Sequence, residues 1–307
     1  MRSERARLAT AGARATVAAT LGNQPRRDVV LNAVFAGLLL LAVLVALAGL
    51  AALLLQALVR GAPALSTDLF TNVPSTLRPE TAGFRPAILG SLELIAGVIV
   101  FVVPIGIGAA IYLEEYADSS KWWNRAIEVN IQNLAAVPSI IYGILGLAFV
   151  VRGPLDLGFV LVAGSLTLAL LVLPIVIIAA REAIRAVPDS IRQGSLALGA
   201  TRWQTIRRQV LPASIPGIAT GVILAVSRAL GEAAPLLLVG ATVFVTFDPT
   251  PFGDGYSAMP VQIFNYAVRP QEEFQTLAFA GVIVMLVVLL AMNSFAIWLR
   301  NRYEQRW

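Results

Sequence analysis

Long apolar runs broken by short charged connections dominate this chain. Six of them pass the roughly 18-residue length at which a helix crosses a membrane. They are Val29–Leu58, Ala87–Leu113, about Ile131–Val151, Leu157–Ala180, a stretch beginning after Pro212, and about Phe274–Leu299. The pattern predicts an all-α integral membrane protein with six transmembrane helices, its membrane domain filling residues 29–307. Residues 1–28 are rich in Arg, Ala and Thr without an apolar stripe. They read either as a mobile leader or as a short helix lying on anionic lipid. The first run is too long for the apolar core of a cleavable signal and predicts a retained anchor. Four prolines (Pro63, Pro74, Pro79, Pro86) predict irregular backbone over 60–86, and Glu114–Asn124 reads as a short charged turn.

The fifth apolar stretch does not fit one span. As a single helix, Ala213–Val245 would be about 50 Å long against a hydrocarbon core of roughly 30 Å. Gly231 and Pro235 fall inside it, which predicts a break near 231–235 and a second, shorter element over 236–245. Interrupted helices persist at membrane depth only inside protein or beside a water-filled cavity. Small residues and prolines also cluster at Pro104, Gly106 and Gly108 and around Pro138, where close helix packing and gating explain them equally.

Between the fourth and fifth runs, about 182–212, the chain turns polar. Asp189 or Ser190, after Pro188, suits the N-cap of a short helix through Leu198, and Gly199 suits its left-handed end. Thr201 and Gln204 have capping-box spacing for a second helix closing near Leu211–Pro212. Trp203, Ile206 and Val210 recur at helical spacing within it. The pair reads as a docking element or as an amphipathic surface loop; pattern alone leaves both open.

Composition narrows the class. With 58% hydrophobic and 13% charged residues the chain is far too apolar for a soluble domain. Of its 23 basic residues, 17 fall on one side of the six-span topology and five on the other, which predicts that both termini are cytoplasmic. Topology accounts for the net charge of +5, so nucleic acid is not implied. With no Cys and no His, disulfides, thiol nucleophiles and histidine-based metal or acid–base sites are excluded. No Gly-x-x-x-x-Gly-Lys-Ser/Thr loop occurs, so a nucleotide site would lie in a partner.

Three ionisable residues, Glu93, Arg228 and Glu232, fall inside the expected spans. An Arg at mid-membrane costs about 2.5–3.5 kcal/mol on the insertion scale, so its presence implies a partner or a task. Arg228 and Glu232 have i, i+4 spacing and share a helix face. They read as a structural pair or as an anion site, in which the guanidinium offers forked donors and the carboxylate accepts a bond from a protonated oxyanion. Glu93, near the outer end of the second run, reads as a packing or interface group.

The segment 193–212 resembles the EAA loop of ATP-binding-cassette importer permeases, with Gly199, Leu211 and Pro212 on its Gly and Leu-Pro positions. Gln193, Gly194 and Ser195 replace its Glu-Ala-Ala. Ser227–Leu238, with Ile105–Ala117, Ala136–Gly143, Gly199–Ile206 and Met259–Ile263, is similar to the PstA-type permeases of phosphate importers. The resemblance runs from about Arg60 to the C-terminus. It implies a type I importer fold in a prokaryotic cytoplasmic membrane and a non-catalytic subunit of an inorganic phosphate importer. It also implies Arg228 and Glu232 in the translocation pathway, and an ATPase contact at Gln193, Gly194, Ser195, Gly199, Ala200, Thr201, Trp203, Leu211 and Pro212. The implied partners are a PstC-type permease, two PstB-type ATPases holding ATP and Mg, and a PstS-type extracytoplasmic phosphate-binding protein. Competing readings are permeases for sulfate, molybdate or phosphonate, an ATPase-independent secondary transporter, and a membrane scaffold.

Overall fold

A computed structural model describes residues 26–118, 120–241, 244–253 and 255–303, and it is helical nearly throughout. Residues 1–25 of the expected leader lie outside the described residues. The chain divides into two units, one up to Gln56 and one from Ala57 onward. The first unit carries most of helix α1 (Arg26–Gly61), which already includes Arg26–Asp28 from the expected leader. Side chains from 30 to 56 are exposed on every face. A helix that is apolar all round is suited to hydrocarbon.

Besides a single helical turn at Asp68–Thr71, the described residues of the second unit form α2 (Arg85–Ile111), α3 (Trp122–Ala135), α4 (Ser139–Leu145), α5 (Leu161–Arg185), α6 (Asp189–Ala197), α7 (Arg202–Thr205), α8 (Leu211–Gly231), α9 (Ala234–Leu238), α10 (Met259–Ala267) and α11 (Glu272–Tyr303). π-helical turns extend α2 through Tyr112–Tyr116 and α4 through Gly146–Val151, and another, Ile206–Val210, joins α7 to α8. The 60–86 connection is irregular apart from three short turns, as its prolines predict. The expected 114–124 turn is shorter, because Glu114 and Glu115 belong to the π turn and Asn124 to α3.

Among the described residues five helices are long and apolar enough to cross a membrane, and a sixth span exists only as a broken pair. The expected continuous helix over 131–151 is therefore corrected. Trp122–Ala135 and Ser139–Val151 meet at 108°. Pro138 has no N–H to donate and disfavours helical backbone at Val137. The Tyr142 hydroxyl donates to the Leu134 carbonyl at 2.8 Å, satisfying an acceptor near the end of α3. The fourth span is also displaced, starting at Leu161 and running to Arg185. Asp156 and Gly158, at φ 43° and 73°, hold the preceding residues in a turn.

α2, α5 and α8 pack around Val98, Val102, Val172, Val176, Ala225 and Ala229. Small residues set the α5–α8 spacing. Gly217 and Gly221 on α8 lie directly over Ala183 and Ala179 on α5, a small-xxx-small face that lets the two backbones approach closely. Gly106 packs similarly on Val176, whereas Gly108 faces open space. A second cluster joins Phe84, Tyr266 and Phe274, with the first two rings edge-on at 5.2 Å. A third gathers Ala110, Ala180, Ile184, Val210 and Ile218 near the polar segment.

Candidate functional site

The stripe of α8 that packs on α5 through Gly217 and Gly221 continues at i+3 and i+4 spacing through Leu224, Arg228 and Gly231, and these last three are exposed. The helix ends where the sequence predicts. Glu232 takes an extended backbone (φ −83°, ψ 113°), and α9 restarts with Pro235 in its first turn, where a missing N–H costs nothing. Glu232 therefore lies just past the helix and not on its face. Its Oε1 still accepts from Arg228 Nε at 3.5 Å, the long limit of a hydrogen bond. The side chains are 44% and 19% exposed, and Arg228 has no other acceptor among the described residues. This is not a dry structural lock. The guanidinium keeps both terminal nitrogens open, a fork suited to an oxyanion.

Both chain breaks converge here. Gly143 on α4 faces Pro235 on α9 so closely that a Cβ would lie 2.7 Å from Pro235 Cα. Val137 and Ala233, one from each break, pack against the same core. Buried Tyr142 lies within electrostatic reach of Arg228. One residue escaped sequence reasoning: Asn293, whose Oδ1 accepts from Ser227 Oγ at 2.6 Å and ties α11 to α8 beside Arg228. A lone Asn within an apolar helix is the signal that could have found it. Glu93 stands apart, with Oε2 buried and unpartnered among the described residues.

The polar helix pair folds largely as read. Gly199 is left-handed at φ 84°, and Thr201 and Gln204 form a complete capping box, with bonds of 3.3 and 2.9 Å. Ser195 Oγ and Thr205 Oγ1, 2.8 Å apart, bind α6 to α7. Three expectations need correction. Pro188 holds the N-cap position of α6, and Asp189 enters the helix, where its carboxylate meets Arg192. The second helix does not close at Leu211–Pro212 but continues unbroken from Arg202 to Gly231. Pro212 falls at the start of α8 after the π turn, where the altered hydrogen-bond ladder accommodates its missing N–H. Trp203 is 53% exposed while Ile206 and Val210 are buried, so it does not share their packed face.

Gly194, Ser195 and Ala200 line a concave surface of about 450 Å³ with Leu198 and Gln204. Leu198 is 90% exposed beside it, and Gln193 and Thr201 are exposed on the same helix pair. Leu211 and Pro212 form the joint to α8. At the base of the pair, Glu114 accepts from Arg181 at 2.9 Å and from Arg185 at 3.0 Å, and Arg181 also meets Glu128 at 2.7 Å. This network joins α2, α3 and α5, and the apolar pattern gave no hint of it.

A family model described as binding-protein-dependent transport system inner membrane component matches residues 102–307. The chain belongs to that family. This inner membrane component is 37% identical over 246 residues to the phosphate transport system permease protein PstA of Yersinia pestis, covering 80% of this chain and 81% of that protein. It is 34% identical to the PstA of Haemophilus influenzae, over 86% and 92% of the two chains. Among solved structures, a bacterial alginate ABC transporter in complex with an alginate pentasaccharide-bound periplasmic protein matches with a TM-score of 0.66 at 18% identity, covering 90% of this chain and 96% of that one. The MetNI methionine ABC transporter, in inward-facing form, matches at 0.57 and 15% identity, covering 72% and 97%. The fold of this transport component is that of the type I ABC importer permeases.

Proposed function

We propose that this chain is the PstA-like permease subunit of an ATP-driven importer of inorganic phosphate, forming half of the translocation pathway. The observation that carries the reading is Arg228. It is held at the junction of two interrupted helices with its forked donors unspent, in a chain one-third identical to phosphate permeases over most of its length. The exposed side of α8 around Leu224, Arg228 and Gly231 is then the wall that a PstC-type permease completes. Phosphate near neutral pH still carries a proton, which Glu232 accepts as a hydrogen bond, while Arg228 holds the anionic oxygens.

The subunit is a multi-pass inner-membrane component and not itself an enzyme. ATP and Mg would be held by two PstB-type ATPases, one of them docked on residues 193–205, and a PstS-type binding protein would deliver phosphate from the far side. The excess of basic residues on the side of α6 and α7 supports cytoplasmic termini.

The reading is tested on the co-expressed complex in proteoliposomes. ATP-dependent phosphate uptake is expected, with excess sulfate or molybdate competing little. Equal competition by sulfate would reject phosphate selectivity, and uptake by this chain alone on an ion gradient would reject ATP coupling. Docking has its own check at Gly199. Its left-handed backbone costs a β-branched residue about 1–2 kcal/mol, although no atom lies within 4 Å of an added Cβ. Gly199→Val is expected to reduce co-purification of the ATPase, and Gly199→Asn, which tolerates that conformation, to preserve it.

A further inference from the structure

We infer that Arg192 is a positioning residue, the pin through which movement of α6 reaches the membrane helices. The inference rests on the docking of an ATPase at α6 and α7. Three residues, 186–188, connect α5 to α6, and the helical hydrogen-bond ladder stops across them, so α6 is not a rigid continuation of α5 and needs a further tie to move with it. The Arg192 guanidinium supplies that tie. Its Nε and Nη2 donate to Glu115 Oε1 at 3.0 and 2.9 Å, which reaches the inner end of α2. Nη2 also donates to the Ile184 carbonyl at 2.9 Å, and Nη1 to the Val187 carbonyl and, at 3.2 Å, to Asp189 Oδ1.

All three nitrogens are engaged, and they join three elements. A planar, permanently charged fork is the side chain suited to such a joint. The Arg192 and Glu115 side chains are 18% and 8% exposed, so neither is presented to a docking partner. The carbonyls of Ile184 and Val187 belong to the last turn of α5 and the connection after it; the first also accepts from the Val187 N–H at 3.2 Å, so the guanidinium adds a second bond there. Arg202, stacked 5.0 Å over the Tyr116 ring, gives the helix pair a second tie to the extension of α2. Displacement of α6 is therefore delivered to α2 and α5 together, the two helices that pack around the same core as α8 and its Arg228.

The test uses the reconstituted complex with R192K, R192Q, E115Q and the double variant R192Q/E115Q, reading co-purified ATPase, ATP hydrolysis and phosphate moved per ATP. R192Q and E115Q are expected to retain the ATPase and hydrolyse ATP while phosphate moved per ATP falls about tenfold, within the usual range of site-to-site coupling. The double variant is expected to be no worse than either single one, because both remove the same joint. R192K keeps the charge but loses the fork and is expected to be impaired as well; should R192Q fail to accumulate, R192K decides by the same ratio. A wild-type ratio in E115Q or R192K overturns the pin, as do losses that multiply in the double variant. Loss of the ATPase from R192Q with R192K fully normal makes Arg192 a docking charge and overturns it too. The unmutated complex separates the two readings: if it fails to hold an ATPase or to move phosphate, the proposed function is what falls.

Discussion

Replacing Arg228 with Gln is expected to lower phosphate uptake about a hundredfold or more while the subunit still assembles with its ATPase. Among the described residues Arg228 makes one long hydrogen bond, and its side chain is 44% exposed, so its loss removes little of the fold's support. What it removes is the open fork. Charge-assisted hydrogen bonds contribute about 1.5–3 kcal/mol each, so two of them exceed the roughly 2.8 kcal/mol that corresponds to a hundredfold change. The Gln variant also leaves Glu232 without its counter-charge, adding repulsion toward an incoming anion. Lys at the same position keeps the charge but not the planar fork and is expected to fall between Gln and the parent. Uptake of labelled phosphate by the reconstituted complex, normalised to co-purified ATPase, decides; transport at the parental rate in Arg228→Gln removes the anion-site reading. The companion change, Glu232→Gln, is expected to narrow the preference for phosphate over sulfate, since the acceptor for the phosphate proton becomes a neutral amide able to donate.

A second large effect is expected from Gly221→Leu, for a reason that has nothing to do with phosphate. A Cβ at Gly221 would overlap the Ala179 methyl on α5, and neither backbone has room to give within a tight helix pair. Overpacking of this kind costs about 1–3 kcal/mol, occasionally more, and here it pushes apart the two helices that define the position of Arg228. The expected result is lower yield of assembled complex and a lower midpoint of thermal unfolding in detergent. Gly108→Leu, where an added Cβ meets nothing within 4 Å, serves as the control with a small effect. Equal stability of the two variants would mean that the α5–α8 contact is looser than its geometry indicates.

Most of the spans, the break after Gly231 and the capped turn at Gly199–Gln204 are legible as strings of residues, because each rests on chemistry confined to a few neighbours. Apolar length predicts a crossing, Gly and Pro predict an interruption, and a Thr with a Gln three residues later predicts a cap. The errors share one origin. The apolar run places Pro138 inside a continuous helix, with packing and gating both open, yet the chain bends there by 108°, and the Tyr142 hydroxyl takes up the Leu134 carbonyl. Pro212 was read as a stop and is passed through, because a π turn precedes it. Whether a proline kinks, ends or merely decorates a helix depends on which donor reaches the carbonyl it strands, and that donor comes from another part of the chain.

The same division holds for function. From its residues alone the chain was fixed as a multi-span membrane protein with a polar helix pair on one side and a charged pair buried in its fifth span, because desolvation makes every charge in an apolar run conspicuous. Tertiary structure decided that Arg228 stands open at the meeting of two helix breaks and is not locked onto Glu232. It also decided that Glu114 and Arg181 join α2 to α5, and that Glu115 and Arg192 tie α6 to them. Pairings of that kind join residues more than sixty positions apart, and long-range geometry leaves no periodic trace in the sequence for a local pattern to reveal.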